Sequence, residues 1–169
     1  MPMNRNNEGK SKPFPWKCRN CKKSSVYPAV VSYPVEIEYD GRVYHVVVDG
    51  LKTPQCKDCR TAFPDAEANR LITLEFLRQA KLLTPQQIRQ QREALGLTQK
   101  TLASLLGFAE ATVSRWETGA QIQQRSLDNL LRIFFGFPDV RKQLWDSSLS
   151  ERGIQIEPES GAQIVQPEA

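Results

Sequence analysis

No apolar run in this 169-residue chain approaches the roughly 18 residues that a membrane span needs. The start, Met1 to Lys12, is polar and has no apolar centre, so no secretory signal is expected. The expected compartment is therefore the cytoplasm. Histidine is almost missing: His45 stands alone, inside a strand pattern, and reads as an ordinary strand residue. No His/Glu/Asp constellation of a hydrolytic site is present, and no small-molecule substrate is expected. A strong charge of one sign is also lacking, since the net charge is only +4 and charged residues make up an ordinary 25%. The charge is unevenly placed, however. Residues 1–23 carry seven Lys/Arg against Glu8, while residues 150–169 are acidic. The basic start is either a solvated tail or a phosphate-tracking arm.

Cysteine is scarce but ordered. The four cysteines form two C-x-x-C pairs, Cys18/Cys21 and Cys56/Cys59. Two residues between ligands let one tight turn aim both sulfurs at one ion, and two such turns complete a tetrahedral shell with Zn–S near ~2.3 Å. In a reducing compartment, paired cysteines are more often metal ligands than disulfides. A thioredoxin-like redox pair would sit in a βαβ setting, whereas this setting is ββ; an iron–sulfur cluster is the remaining competitor. One structural Zn²⁺ is the expected cofactor. A four-thiolate shell has no open position for water or substrate, which weighs against a zinc enzyme.

Between the pairs, Val35, Ile37 and Tyr39 alternate with Glu36 and Glu38, the pattern of a half-buried strand. Asp40-Gly41 is a type I′ hairpin signal. Val43 to Val48 forms the returning strand, with Asp49-Gly50 read as its end. Asp65 is an N-cap candidate, and Ala66 to Leu83 contains neither Gly nor Pro. Leu71, Ile72, Leu74, Phe76, Leu77 and Ala80 form an apolar stripe at helical spacing. Thr84-Pro85 starts the next helix. The expected class is α+β: a small N-terminal β-hairpin zinc-knuckle domain, a linking helix, then an all-α five-helix domain. The expected boundaries are a disordered basic tail over 1–15, the zinc-binding β domain over 16–65, the linking helix over 66–83, the helical domain over 84–149, and a disordered acidic tail over 150–169.

From Ile88 to Gly119 the pattern gives three short amphipathic helices. Leu95, Leu97, Leu102, Ala103, Leu106, Val113 and Trp116 supply their core. Thr98 caps the second helix and leaves Gln99, with neighbouring Lys100, near the free N–H groups of the first turn, where a phosphate can sit. Gly107 turns into the third helix, and Gly119 ends it. Further helices are expected over Ser126–Phe135 and Pro138–Trp145. Their apolar residues, Leu127, Leu130, Leu131, Phe134, Phe137, Val140, Leu144 and Trp145, exceed what a three-helix core needs. They are either core or, in part, a dimer face.

The Ile88–Gly119 stretch resembles the Cro/C1-type, or Xre-like, helix-turn-helix of phage repressors. The resemblance implies that Arg92 pairs with Glu117 and that Gln99 contacts the DNA backbone. It also implies that the exposed start of the third helix reads bases, where this chain offers Glu110, Ala111, Thr112, Ser114 and Arg115. Arg115 is the strongest base reader among them, through a bidentate contact to guanine worth about 1–3 kcal/mol of discrimination; a phosphate contact or an ion pair is its alternative. Thr112 can offer a methyl to thymine or a hydroxyl to a phosphate.

The whole chain from Trp16 to Trp145 resembles the MqsA antitoxin family, a YgiT-type zinc finger joined to a helix-turn-helix. The carriers are the four cysteines, the Gly41-centred hairpin, Pro54 before Cys56, Phe63 with the following helix, and Ser114-Arg115-Trp116-Glu117-x-Gly119. The resemblance implies a zinc domain that neutralises an RNA-cleaving toxin, and a dimeric C-terminal domain that binds a double-stranded operator and represses the operon. Two departures stand out. Many relatives carry Gly just after each knuckle, where this chain has Lys22 and Arg60. Ala111 stands where well-known members have a base-reading Asn, so the operator sequence does not transfer. The expected function is a zinc-containing DNA-binding repressor acting as an autoregulating antitoxin. A stand-alone regulator with no toxin is the alternative.

Overall fold

The computed structural model describes residues 13–151. Most of the expected acidic tail and most of the expected basic tail lie outside the described residues, and Ser150 and Glu151, expected in the acidic tail, end a helix. The chain divides into two compact units, with the division between Thr84 and Pro85.

The first unit is a three-stranded antiparallel sheet covered by one helix. Its strands are β1 (Trp16–Lys17), β2 (Ser24–Tyr39) and β3 (Arg42–Cys56), in the order β1-β2-β3, followed by α1 (Ala66–Ala80). Asp40 and Gly41 both have positive φ, 54° and 68°, as a two-residue type I′ turn requires. One expectation is corrected here. Asp49-Gly50 does not end the returning strand, because β3 continues to Cys56. Val31 pairs with Leu51 but Tyr33 pairs with Val48, so Ser32 alone faces Asp49 and Gly50. Gly50 takes φ +70°. The dipeptide is a β-bulge within the strand, tied by a hydrogen bond from the Ser32 hydroxyl to the Asp49 carboxylate.

The inward row Val31, Tyr33, Val35 and Ile37, with Val48, packs on buried Leu51, Ala68 and Ile72. Phe76 of α1 meets the rings of Tyr39 and Tyr44 edge-on, at 5.4 and 5.3 Å between centroids. Asp65 caps α1 by accepting from the Ala68 N–H at 2.9 Å. The helix ends at Ala80 rather than Leu83, because Lys81 turns left-handed at φ 53°. The Leu82 N–H then reaches back to the Leu77 carbonyl at 2.9 Å, a Schellman ending. Leu82 and Leu83 stay buried without being helical, whereas Leu71, expected in the apolar stripe, is 38% exposed.

Among the described residues the second unit has five helices: α2 (Pro85–Ala94), α3 (Gln99–Leu106), α4 (Glu110–Thr118), α5 (Arg125–Gly136) and α6 (Pro138–Glu151). Ile88, Leu102, Ala103, Leu105, Val113, Trp116, Leu131 and Phe134 form its buried core. Burying each large side chain contributes about 1.5–3 kcal/mol. Leu105 is buried and Leu106 half-buried, the reverse of the expected emphasis, because one residue turns a helix by about 100°. Phe108 stacks edge-on against Trp116 at 5.2 Å. The corner between α5 and α6 is held by Arg141, whose guanidinium donates to the Phe134 and Phe135 carbonyls at 3.0 and 2.8 Å. Helix α6 runs past the expected end at Trp145 to Glu151. Ile133, Phe137 and Trp145 remain 44%, 59% and 43% exposed.

Candidate metal centre and nucleic-acid interface

The two C-x-x-C turns meet because Val26 pairs with Cys56, which brings the end of β3 back to the start of β2. Their hydrogen bonds repeat almost bond for bond. Lys22 N–H donates to the Cys18 carbonyl at 3.0 Å, and Arg60 N–H to the Cys56 carbonyl at 2.9 Å. Cys18 N–H donates to the Lys23 carbonyl at 2.7 Å, and Cys56 N–H to that of Thr61 at 2.9 Å. Two side-chain links cross between the turns at equivalent positions: Asn20 Nδ2 to Thr61 Oγ1 at 3.1 Å, and Lys23 Nζ to Asp58 Oδ1 at 2.9 Å. The pair of turns thus forms a local pseudo-two-fold unit. Cys18, Val26 and Cys56 are fully buried beneath it, with Trp16 stacked on Phe63 at 4.9 Å.

All four sulfurs lie within 4.8 Å of one another. The Cys18–Cys59 and Cys21–Cys56 contacts are both 3.6 Å, far longer than the ~2.05 Å of a disulfide. A tetrahedral ion with bonds near ~2.3 Å would set its sulfurs about 3.8 Å apart. The cluster therefore has the size and donor set to hold a metal ion. A cation would also suit its electrostatics. The Thr61 hydroxyl, 3.2 Å from the sulfur, and the Thr61 backbone N–H hold the Cys59 thiol down to about 5. Cys21 is pushed up to about 12: the Lys23 backbone N–H favours its thiolate, but desolvation and the three neighbouring sulfurs outweigh it. Crowded thiols cannot all ionise by themselves, and a bound cation removes the conflict. Among the described residues the cluster contains no fifth ligand. His45 lies on the exposed part of β3, 3.2 Å from the Glu36 carboxylate.

Lys22 and Arg60 follow the two turns with φ of 65° and 60°. This is the left-handed region, free to glycine and costing other residues about 1–2 kcal/mol. A glycine would take this backbone without strain, and this chain adopts it with two cations.

In the second unit, Thr98 caps α3 by accepting from the Thr101 N–H at 3.0 Å. A buried clamp joins α2, α3 and α4. Arg92 Nε donates to Glu117 Oε1 at 2.6 Å and Nη2 to Oε2 at 2.9 Å, while Nη1 donates to the Leu97 carbonyl at 2.6 Å. The two side chains are 9% and 2% exposed. Glu117 is the main cause that raises the Arg92 pKa. Gln99 Nε2 adds a third donor to Glu117 at 2.8 Å, so its amide is held inside the protein as well as standing at the start of α3.

Lys100, Glu110, Ala111 and Arg115 are exposed, and Thr112 and Ser114 half-buried. The backbone N–H groups opening α4 receive no side-chain cap, since Ala109 stands at that position. A second buried carboxylate, Asp128, had no place in the sequence reading. It accepts from Gln123 Nε2 at 3.0 Å and Arg132 Nε at 2.7 Å, and fixes the loop between α4 and α5. Its place in the first turn of α5 and the i,i+4 spacing to Arg132 were the available signals.

A family model described as the antitoxin component of a bacterial toxin-antitoxin system, MqsA, matches residues 16–144. The chain belongs to the MqsA antitoxin family. The match includes both C-x-x-C turns and all three helices of the 88–119 pattern. No curated protein matches the chain significantly. The MqsA antitoxins are not a family of enzymes, and membership implies a toxin partner. Among the described residues, no helix is long and apolar enough to cross a membrane.

Proposed function

We propose that this MqsA-family protein is an autoregulating antitoxin that represses its own operon in the cytoplasm. Helix α4 enters the major groove of a double-stranded operator. Arg115 reads guanine, with Thr112, Ser114, Ala111 and Glu110 lining the same face. Gln99, Lys100 and the N–H groups opening α3 and α4 fix the register on phosphates. One Zn²⁺ on Cys18, Cys21, Cys56 and Cys59 is structural and holds the first unit in the shape that binds the toxin. Two copies pair to read two half-sites, and the exposed Ile133, Phe137 and Trp145 belong to that contact.

The observation that carries the reading is the clamp beneath α4. A bidentate Arg92–Glu117 pair, buried and tied to both α2 and the start of α3, fixes the pitch of a helix whose outer face presents Arg115. The Arg115 guanidinium makes no hydrogen bond among the described residues. A rigid helix face that presents an unengaged guanidinium is what base readout needs.

The test is footprinting on the DNA upstream of the gene, with wild type and Arg115→Ala. The wild type should protect a palindromic site. Arg115→Ala should lose about 1–3 kcal/mol of discrimination at one base pair per half-site and keep its fold by circular dichroism. An unchanged footprint would remove Arg115 from the reading. Co-expression with the neighbouring gene's product tests the toxin: a stoichiometric complex lost on Cys56→Ser supports binding through the first unit.

A further inference from the structure

We infer that Ala111 is a specificity-determining residue: its methyl group packs on the 5-methyl of a thymine close to the guanine that Arg115 reads. The inference rests on the helix-turn-helix reading above and assigns a base and a contact to one further position of the same face.

Two observations carry it. The first is where Ala111 stands on α4. Val113 and Trp116 are buried, and Glu117 is held in the clamp, so these three mark the inner side of the helix. A helix turns by about 100° per residue, so Ala111 and Arg115, each two residues from Val113, both stand about 160° round from it and only about 40° from each other. Both are exposed. They form an i,i+4 pair along the middle of the outer face. Thr118 continues the same line, but its hydroxyl donates back to the Ser114 and Arg115 carbonyls at 2.8 and 3.2 Å. Ser114 is half-buried and falls on the flank. Ala111 lies one turn nearer the N-terminus of α4, the end of a recognition helix that meets base edges.

The second observation is what this side chain can and cannot do. A methyl neither donates nor accepts a hydrogen bond. Pressed against the major-groove edge of adenine, guanine or cytosine, it would leave an amino group or a ring acceptor dry and unpaired, which is costly. Thymine alone presents a methyl there. A one-carbon side chain also lets the backbone of α4 come close to the bases. Thr112 carries the competing methyl, but it is half-buried and lies about 60° to the other side of Arg115. The rise from Ala111 to Arg115 is about 6 Å, against roughly 3.4 Å per base pair. The thymine therefore lies within about two base pairs of the guanine, and the clamp on Glu117 fixes both contacts together.

The test uses the full-length, zinc-loaded protein and the footprinted operator, with affinity read by fluorescence anisotropy. Each thymine is replaced in turn by deoxyuridine, which pairs in the same way and lacks only the 5-methyl. For wild type, one such replacement per half-site, within about two base pairs of the guanine, should weaken binding about fourfold, the worth of one buried methyl. Ala111→Gly should bind the natural operator more weakly and should not distinguish thymine from deoxyuridine at that position. The readout is the ratio within each variant, so any loss of helix stability from the glycine cancels. Thr112→Ser should keep the wild-type ratio. Three results would overturn the inference: no thymine with an effect in wild type, an unchanged ratio in Ala111→Gly, or a ratio abolished by Thr112→Ser instead. Replacing the guanine by 7-deazaguanine, which lacks the N7 acceptor, keeps the two readings apart. A 7-deazaguanine effect that Arg115→Ala removes, with no thymine effect, sinks the Ala111 contact alone. A thymine effect that Ala111→Gly removes, with no 7-deazaguanine effect, upholds Ala111 and sinks the role of Arg115.

Discussion

The two units reach rigidity by opposite routes. The second builds an ordinary helical core around Trp116, Phe134, Leu102 and Leu131, then adds a buried ion pair to set one helix. The first has a long two-stranded arm whose base holds two buried cysteines and one valine. Too little apolar surface gathers there to fix two turns against each other, and four sulfurs placed to hold a cation stand where packing falls short. The lesson is that a recognition surface needs fixed geometry, and a metal can replace a core where the chain is thin.

The largest effect should come from breaking the metal side of this contrast. Cys56→Ser, or a strong chelator, should unfold the first unit and leave the second folded, because structural Zn²⁺ in such turns is worth about 10–16 kcal/mol. Limited proteolysis should cut within residues 16–84 and spare helices α2 to α6. Cleavage of both units at one rate would show that they stand or fall together.

Next comes the clamp. Glu117→Ala leaves buried Arg92 with only the Leu97 carbonyl and a long 3.3 Å contact to Glu93, which should destabilise the second unit by up to about 3–5 kcal/mol and lower its thermal transition, with zinc content unchanged. The caps give a matched pair at smaller scale. Asp65→Ala in the first unit and Thr98→Ala in the second should each cost about 1 kcal/mol by denaturant unfolding; a cost near zero for Asp65 alone would mean that packing of α1 on the sheet outweighs its cap. Lys22→Gly should change sign and stabilise the first unit by about 1 kcal/mol. The smallest effect concerns Glu75, whose carboxylate the Arg78 guanidinium, helped by Gln79, lowers to about 2. A depressed carboxylate stabilises the fold above its unfolded value of 4.5 and loses that contribution as pH falls toward 2. Glu75→Gln should therefore lower the neutral plateau slightly, leave stability near pH 2 almost unchanged, and so flatten the acid limb of the curve.

Much of this was legible because it is local chemistry. Asp65 and Thr98 cap where short polar residues precede apolar periodicity, and Asp40-Gly41 turns where both positions accept positive φ. The paired cysteines announced their own meeting. What local chemistry could not decide was context. Asp49-Gly50 has the composition of a turn, and only the pairing of Val26 with Cys56 makes it a bulge within a strand. Lys81 ends α1 although nothing in its side chain forbids helix. The Arg92–Glu117 pair joins residues far apart in sequence and was reached through resemblance, while Asp128 passed unnoticed because its partners are assembled by the loop before α5. Gln99 lay outside the clamp in the sequence reading, since no spacing rule connects it to Glu117.

The bulge at Gly50 has a consequence for how this arm can change length. The arm is pinned at its base by Val26 opposite Cys56 and at its tip by Tyr39 opposite Arg42. Between those pins β3 carries one residue more than β2, and the bulge absorbs it. Two fixed ends and alternating faces make the arm's length come in steps. A lineage can extend its reach by adding residues in matched pairs on both strands, with the sulfurs and the turn untouched, whereas a lone insertion must find its own bulge or turn the inner face outward.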